Sequence, residues 1–188
     1  MNIANKLTIL RILLSFFCMG FILKNTFFSL IIGFILFVTA SITDFFDGHL
    51  ARKYNLVSDL GKLLDPIADK VLIIGVFASF LQLGVITVWM VVSIIFREFL
   101  ITGLRIFSIK KGVVLEAKQF GKHKTVSQIG VIILIFFTLL VLKIFPENNV
   151  INLFYSMIIP VVMWYVVSIT VSSGAYYLWA NRKVIKTF

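Results

Sequence analysis

The chain is poor in acid, and its few acidic residues are unevenly placed. Of 188 residues only eight are Asp or Glu, against 18 Lys and Arg, for a formal net charge of +10. All five aspartates, Asp44, Asp47, Asp59, Asp65 and Asp69, fall within residues 44–69, and Glu98, Glu116 and Glu147 complete the set. Cysteine is nearly absent, and the single Cys18 excludes an internal disulfide. It follows Ser15-Phe16-Phe17 rather than the small residues of a lipobox. The first apolar run lacks an A-x-A-like cleavage site, so it is expected to be retained as a helix rather than removed as a signal peptide. Low-complexity tracts and convincing internal repeats are missing as well.

Apolar residues fill the chain instead. They make up 60% of it, with 20 Phe, where an ordinary soluble domain has about half. Crossing a bilayer takes about 20 predominantly apolar residues per helix. Six stretches qualify, near residues 7–23, 27–51, 60–83, 85–109, 125–144 and 151–180. Pro66 falls in the first turns of the third, where proline is best tolerated. The expected architecture is an all-α integral membrane protein: six transmembrane helices in one bundle, a single domain over residues 1–188.

Basic residues orient that bundle. The N-terminus, the connections at 52–58 and 110–124 and the tail at 181–186 hold nearly all of them, while the opposite connections hold only Lys24 and Lys143. The positive-inside bias then predicts a multi-pass protein of the cell membrane with both termini cytoplasmic. The same bias accounts for the +10 charge, so no nucleic-acid partner is expected. The aspartate window falls at the cytoplasmic ends of the second and third helices, within reach of soluble polar substrates.

A carboxylate at membrane depth is costly and marks a functional site by default. Asp44 and Asp47 are spaced i,i+3 on the second helix, and Asp65 and Asp69 i,i+4 on the third. Each spacing puts both carboxylates on one helical face, with Cβ atoms roughly 5–6 Å apart. The connection returns the third helix antiparallel to the second, so the two faces can converge. Four carboxylates without thiols or imidazoles make a hard oxygen site suited to Mg²⁺ or Mn²⁺. Two such ions balance the four charges, the familiar clamp for displacement at phosphorus. Around them, Gly48 permits close approach of a ligand, Arg52 can fork onto phosphate and Gly61 leaves room opposite the pairs. Ser58 and Asp59 can hydrogen-bond a polar head, or either can cap the third helix.

The string Asp44-x2-Asp47-Gly48-x2-Ala51-Arg52-x8-Gly61-x3-Asp65-x3-Asp69 resembles, without a departure, the signature of the CDP-alcohol phosphatidyltransferases. The resemblance implies that family's fold and a homodimer in the membrane. It also implies a two-metal site on Asp44, Asp47, Asp65 and Asp69, with Asp69 doubling as the base that activates an acceptor hydroxyl. Gly48, Arg52, Ser58 and Gly61 would line the place of CDP-diacylglycerol. Near the N-terminus, Asn5-x-Leu7-Thr8-x2-Arg11 resembles the family segment that lies against the nucleotide lipid, with Ala4 where a proline is frequent.

The acceptor is read from two further segments. Arg97-Glu98-x3-Thr102-Gly103-Leu104-Arg105 lies on the fourth helix, and Gly121-Lys122-His123-Lys124-Thr125-x2-Gln128 opens the fifth. Glu98 and Arg105, two turns apart, share a face. The surplus of cations suits an anionic acceptor, and the pair of segments resembles the bacterial phosphatidylglycerophosphate synthases, whose acceptor is sn-glycerol 3-phosphate. Arg97, Arg105, Lys122 and Lys124 are the residues expected to hold its phosphate. Sibling enzymes of the cardiolipin-synthase and inositol-phosphate types are the nearest rivals. A membrane prenyltransferase would normally need more helices, and a divalent-cation transporter would not need the Arg52–Gly61 connection.

Overall fold

The computed structural model describes the backbone of residues 3–53, 59–110 and 120–182, and the side chains over 8–43, 67–68, 70–108, 123–153 and 155–182. Six helices make up its regular structure: α1 (Ile3–Lys24), α2 (Phe27–Lys53), α3 (Asp59–Gln82), α4 (Val88–Lys110), α5 (Phe120–Ile144) and α6 (Asn149–Ala180). Each of the six expected apolar stretches is helical over its described residues.

Local chemistry sets the turns on one side of the bundle. Asn25 stops α1 with a positive φ of 49°, the left-handed step that Asn tolerates after a helix. Thr26 and Ser29 then cap α2 reciprocally. The Thr26 N–H donates to Ser29 Oγ at 2.9 Å, and the Ser29 N–H to Thr26 Oγ1 at 3.3 Å, which is capping-box geometry with serine at the third position. After α3, Gly84 takes φ +72°. The Val85 N–H reaches Phe80 O at 2.9 Å and the Gly84 N–H reaches Leu81 O at 3.0 Å, the two bonds of a Schellman stop. This stop delays α4 to Val88, beyond the 85 expected from hydropathy alone. Asn148 caps α6 through bonds from Val150 N at 3.0 Å and Ile151 N at 3.2 Å.

The core is aliphatic and aromatic, with contributions from all six helices. Phe136 of α5 lies at its centre, completely buried. Its ring meets Phe34 at 5.5 Å and Phe80 at 5.4 Å edge to face, and Phe37 at 6.2 Å in a tilted pair. Such pairs contribute about 0.5–1.5 kcal/mol each beyond their area. Buried hydroxyls are satisfied by their own helices: Ser15, Ser79 and Thr138 donate to the carbonyls of Arg11, Gly75 and Leu134, the usual i−4 bond of a hydroxyl inside a helix.

The outside is apolar too. Phe16, Phe28, Trp89, Phe96, Phe99 and Tyr165 are all more than half exposed, while Thr8, Arg11, Lys124, Gln128 and Thr170 are buried. An apolar exterior around a polar-bearing interior suits lipid rather than water. Among the described residues, His123–Ile144 and Asn149–Ala180 are long and apolar enough to cross a bilayer, and Phe27–Thr43 and Lys70–Gln82 are shorter apolar helices.

Candidate functional site

Consecutive helices run in opposite directions, so residue pairs in contact show which positions share a level. Among the described residues α1 packs along both α2 and α3, which touch one another only briefly. The antiparallel expectation therefore holds with α1 between the two. Cys18 Sγ donates to Gly33 O at 3.3 Å. Ten positions back along α1 and ten on along α2 bring Thr8 level with Thr43, beside Asp44. Met19 packs on Gly75, where a Cβ would meet its sulfur. Eleven positions back along both α1 and α3 bring Thr8 level with Leu64, beside Asp65. On α5, twelve positions back from Phe136 is Lys124. The ring partners Phe37 and Phe80 carry that level to His49 on α2 and Ala68 on α3. The backbone thus brings both aspartate pairs, Thr8 and Lys124 to one end of the bundle, at levels spread over about two helical turns.

A buried polar cluster adjoins that end. Glu98 of α4 accepts at Oε1 from Arg97 Nη1 at 3.3 Å and from Lys124 Nζ of α5. The three side chains are only 10–12% exposed. Arg97 Nη2 donates to Ser173 Oγ of α6 at 3.2 Å, Ser173 Oγ to Thr170 O at 2.8 Å, and Gln128 Nε2 to Thr170 Oγ1 at 3.4 Å. One turn along α4, Thr102 accepts from Lys70 Nζ, and Lys70 also lies 5.9 Å from the Phe99 ring centre. Lys70 follows Asp69 directly. One face of α4 therefore joins the cluster, through Glu98 and Thr102, to the helix that carries Asp65 and Asp69.

Two cations share one carboxylate here, which leaves a surplus positive charge where water is scarce. Coulomb forces are strong in such surroundings. Removing the shared anion leaves like charges buried side by side, and breaking a buried pair in this way costs about 3–5 kcal/mol. Glu98→Leu is accordingly expected to lower thermal stability sharply in detergent, read by scanning fluorimetry. Loss of less than about 1 kcal/mol would show that the carboxylate carries little of the cluster.

The expected site residues fall as follows. Asp44, Asp47, Gly48 and Arg52 lie on α2, and Gly61, Asp65 and Asp69 on α3. Their side chains, with those of Asn5 on α1 and Lys122 on α5, are outside the described residues, as is Ser58 altogether. Asp59 is the first residue of α3. Thr8 and Arg11 are buried at 1% exposure each, at the level of the acids. The structure brings Arg97 and Lys124 together. Arg105 stands apart, exposed and without an ion pair among the described residues. Glu98 thus pairs with the adjacent Arg97, not with Arg105 two turns away. The fifth helix starts at Phe120 rather than 125, because Lys124 is drawn inward to Glu98 instead of ending a solvated loop. Thr170, Ser173 and Gly174 of α6 escaped the sequence reading. The signal for them was the clustering of Ser168, Thr170, Ser172, Ser173 and Gly174 in the second half of α6.

The donor set fits divalent metal. Two carboxylate pairs at helical spacing, on helices held at one level by α1, offer oxygen ligands only, the preference of Mg²⁺ and Mn²⁺.

The model of the CDP-alcohol phosphatidyltransferase family matches residues 1–172. A CDP-diacylglycerol–glycerol-3-phosphate 3-phosphatidyltransferase of Bacillus subtilis is 40% identical over 155 residues, covering 82% of this chain and 76% of its own. Proteins of the same name are 36% identical over 189 residues in Rickettsia bellii, covering 97% of this chain and 96% of that one, and 34% identical over 187 residues in Rickettsia typhi, covering 100% and 98%. With the match running from α1 into α6 and the aspartate string intact within it, the chain belongs to the CDP-alcohol phosphatidyltransferase family.

Proposed function

We propose that the protein transfers the phosphatidyl group of CDP-diacylglycerol to sn-glycerol 3-phosphate, giving phosphatidylglycerophosphate and CMP. The observation that carries this reading is the shared end of the bundle: a cation cluster on α4 and α5 beside the helices of the two aspartate pairs. Its relatives' names point to the same pair of substrates.

Asp69 takes the proton of the acceptor's primary hydroxyl. The freed oxygen forms a bond to the phosphorus that carries diacylglycerol, and the bond from that phosphorus to the bridging oxygen breaks, releasing CMP. Arg97 and Lys124 hold the acceptor's own phosphate, joined by Lys122 and Arg105 from the cytoplasmic end. Asn5, Thr8, Gly48, Arg52, Ser58 and Gly61 seat the CDP-lipid. Asp44, Asp47, Asp65 and Asp69 would hold two divalent cations, Mg²⁺ or Mn²⁺, which when bound neutralise charge on the diphosphate. Six membrane-spanning helices, cytoplasmic termini and a homodimer complete the proposal. The acyl chains then stay in lipid while the diphosphate meets the carboxylates at the cytoplasmic side.

The test is CMP release by the purified protein in mixed micelles of CDP-diacylglycerol and Mg²⁺. Release is expected only when glycerol 3-phosphate is added. Release with phosphatidylglycerol or inositol phosphate in its place would assign a different acceptor. Metal flux into liposomes without any CMP would replace the enzyme by a transporter.

A further inference from the structure

The family match ends at residue 172, yet the guanidinium of Arg97 is seated by the next two residues. Ser173 Oγ accepts from Arg97 Nη2 at 3.2 Å. Gly174 faces the stem of the same side chain, and a Cβ built there would lie 3.0 Å from Arg97 Cγ and 3.7 Å from Nε. Gly174 is buried, so a methyl there would press on the arginine, which would have to give by a few tenths of an ångström. Cγ is close to the root of the chain and cannot swing aside as a flexible tip would. The third hold on Arg97 is Glu98, which also anchors Lys124. Arg97 Nε is buried without a hydrogen-bond partner, so one N–H of the fork has its bonding capacity unspent. The planar guanidinium presents its donors in a fixed geometry. Tilting it therefore redirects every donor at once.

We propose that Ser173 and Gly174 of α6 are positioning residues for acceptor recognition: they fix the angle at which Arg97 meets the phosphate of the acceptor. This rests on the reading of Arg97 as a ligand of that phosphate. The geometry assigns to the last membrane helix a part in substrate choice that the aspartate window does not supply.

Ser173→Ala and Gly174→Ala are compared with the unchanged enzyme for the KM of glycerol 3-phosphate, the KM of CDP-diacylglycerol, and inhibition by inorganic phosphate. Ser173→Ala removes one acceptor and is expected to raise the glycerol 3-phosphate KM about three- to tenfold, the span of a single hydrogen bond. Gly174→Ala is expected to raise it about tenfold or more. In both, the inhibition constant of inorganic phosphate should rise by the same factor while the KM of CDP-diacylglycerol holds. Equal shifts in the two KM values, or none in either, would reduce these residues to helix packing and overturn the proposal. A raised glycerol 3-phosphate KM with unaltered phosphate inhibition would overturn it too, since Arg97 would then not be meeting phosphate. Should Gly174→Ala fail to fold, Ser173→Ala decides alone. If the unchanged enzyme releases no CMP in response to glycerol 3-phosphate, the failure lies in the phosphatidyl-transfer reading itself.

Discussion

Asp69→Asn is expected to lower CMP release by about 10²–10⁴-fold, the usual contribution of a general base. The substitution keeps the shape of the side chain and removes its basicity. Asp69 lies on α3 next to Lys70, whose amine donates to Thr102, so the helix around it is pinned to α4 whatever stands at position 69. The loss should therefore fall on kcat, with the protein still eluting as a folded species and melting near the temperature of the unchanged enzyme. The measurement is the rate of CMP release at saturating glycerol 3-phosphate, paired with a melting curve. A variant that keeps more than about a tenth of the rate would remove Asp69 from the role of base. Its place among the acids would then be that of a ligand only.

The second large effect is expected from chelation. Stripping divalent ions from the purified protein should abolish CMP release, and Mg²⁺ or Mn²⁺ should restore it while Ca²⁺ restores it poorly. The smaller ions demand near-octahedral oxygen geometry, whereas Ca²⁺ takes more ligands at longer distance. Four carboxylates brought to one end of the bundle repel each other without cations, so chelation should also lower thermal stability. Isothermal titration of the stripped protein gives the stoichiometry, expected at two ions per chain. Full activity after exhaustive chelation would leave the four carboxylates to be neutralised by basic residues such as Arg52, Lys53, Lys62 and Lys70.

These two effects differ in what they ask of the fold. The chelation result depends on the convergence of α2 and α3, and so on α1, which packs along both. Thr8 and Arg11 are polar and almost fully buried on α1, toward the end of the bundle that carries the aspartate window. Twelve positions further along the bundle, Phe37, Phe80 and Phe136 fill the interior with rings instead.

Much of this was legible without coordinates, because it is local. The spacing of Asp44 to Asp47 and of Asp65 to Asp69 sets which residues share a helical face, whatever surrounds them. The six apolar stretches, the stop at Asn25 and the turn at Gly84 follow from hydropathy and backbone freedom over a few residues. The start of α4 moved for a local reason, the stop at Gly84, and the start of α5 for a non-local one. Lys124 joined α5 because Glu98, 26 residues earlier, draws it inward.

Sequence by itself determined the all-α class and the family, since short-range spacing on a helix is a covalent matter and a fixed string of residues carries it. Only the tertiary structure decided that Glu98 serves Arg97 and Lys124 rather than Arg105. It alone showed that Arg97 is seated by Ser173, 76 residues away, with Gly174 beside it. Such partners meet only where three helices cross, and hydrophobic packing rather than residue spacing chooses that crossing.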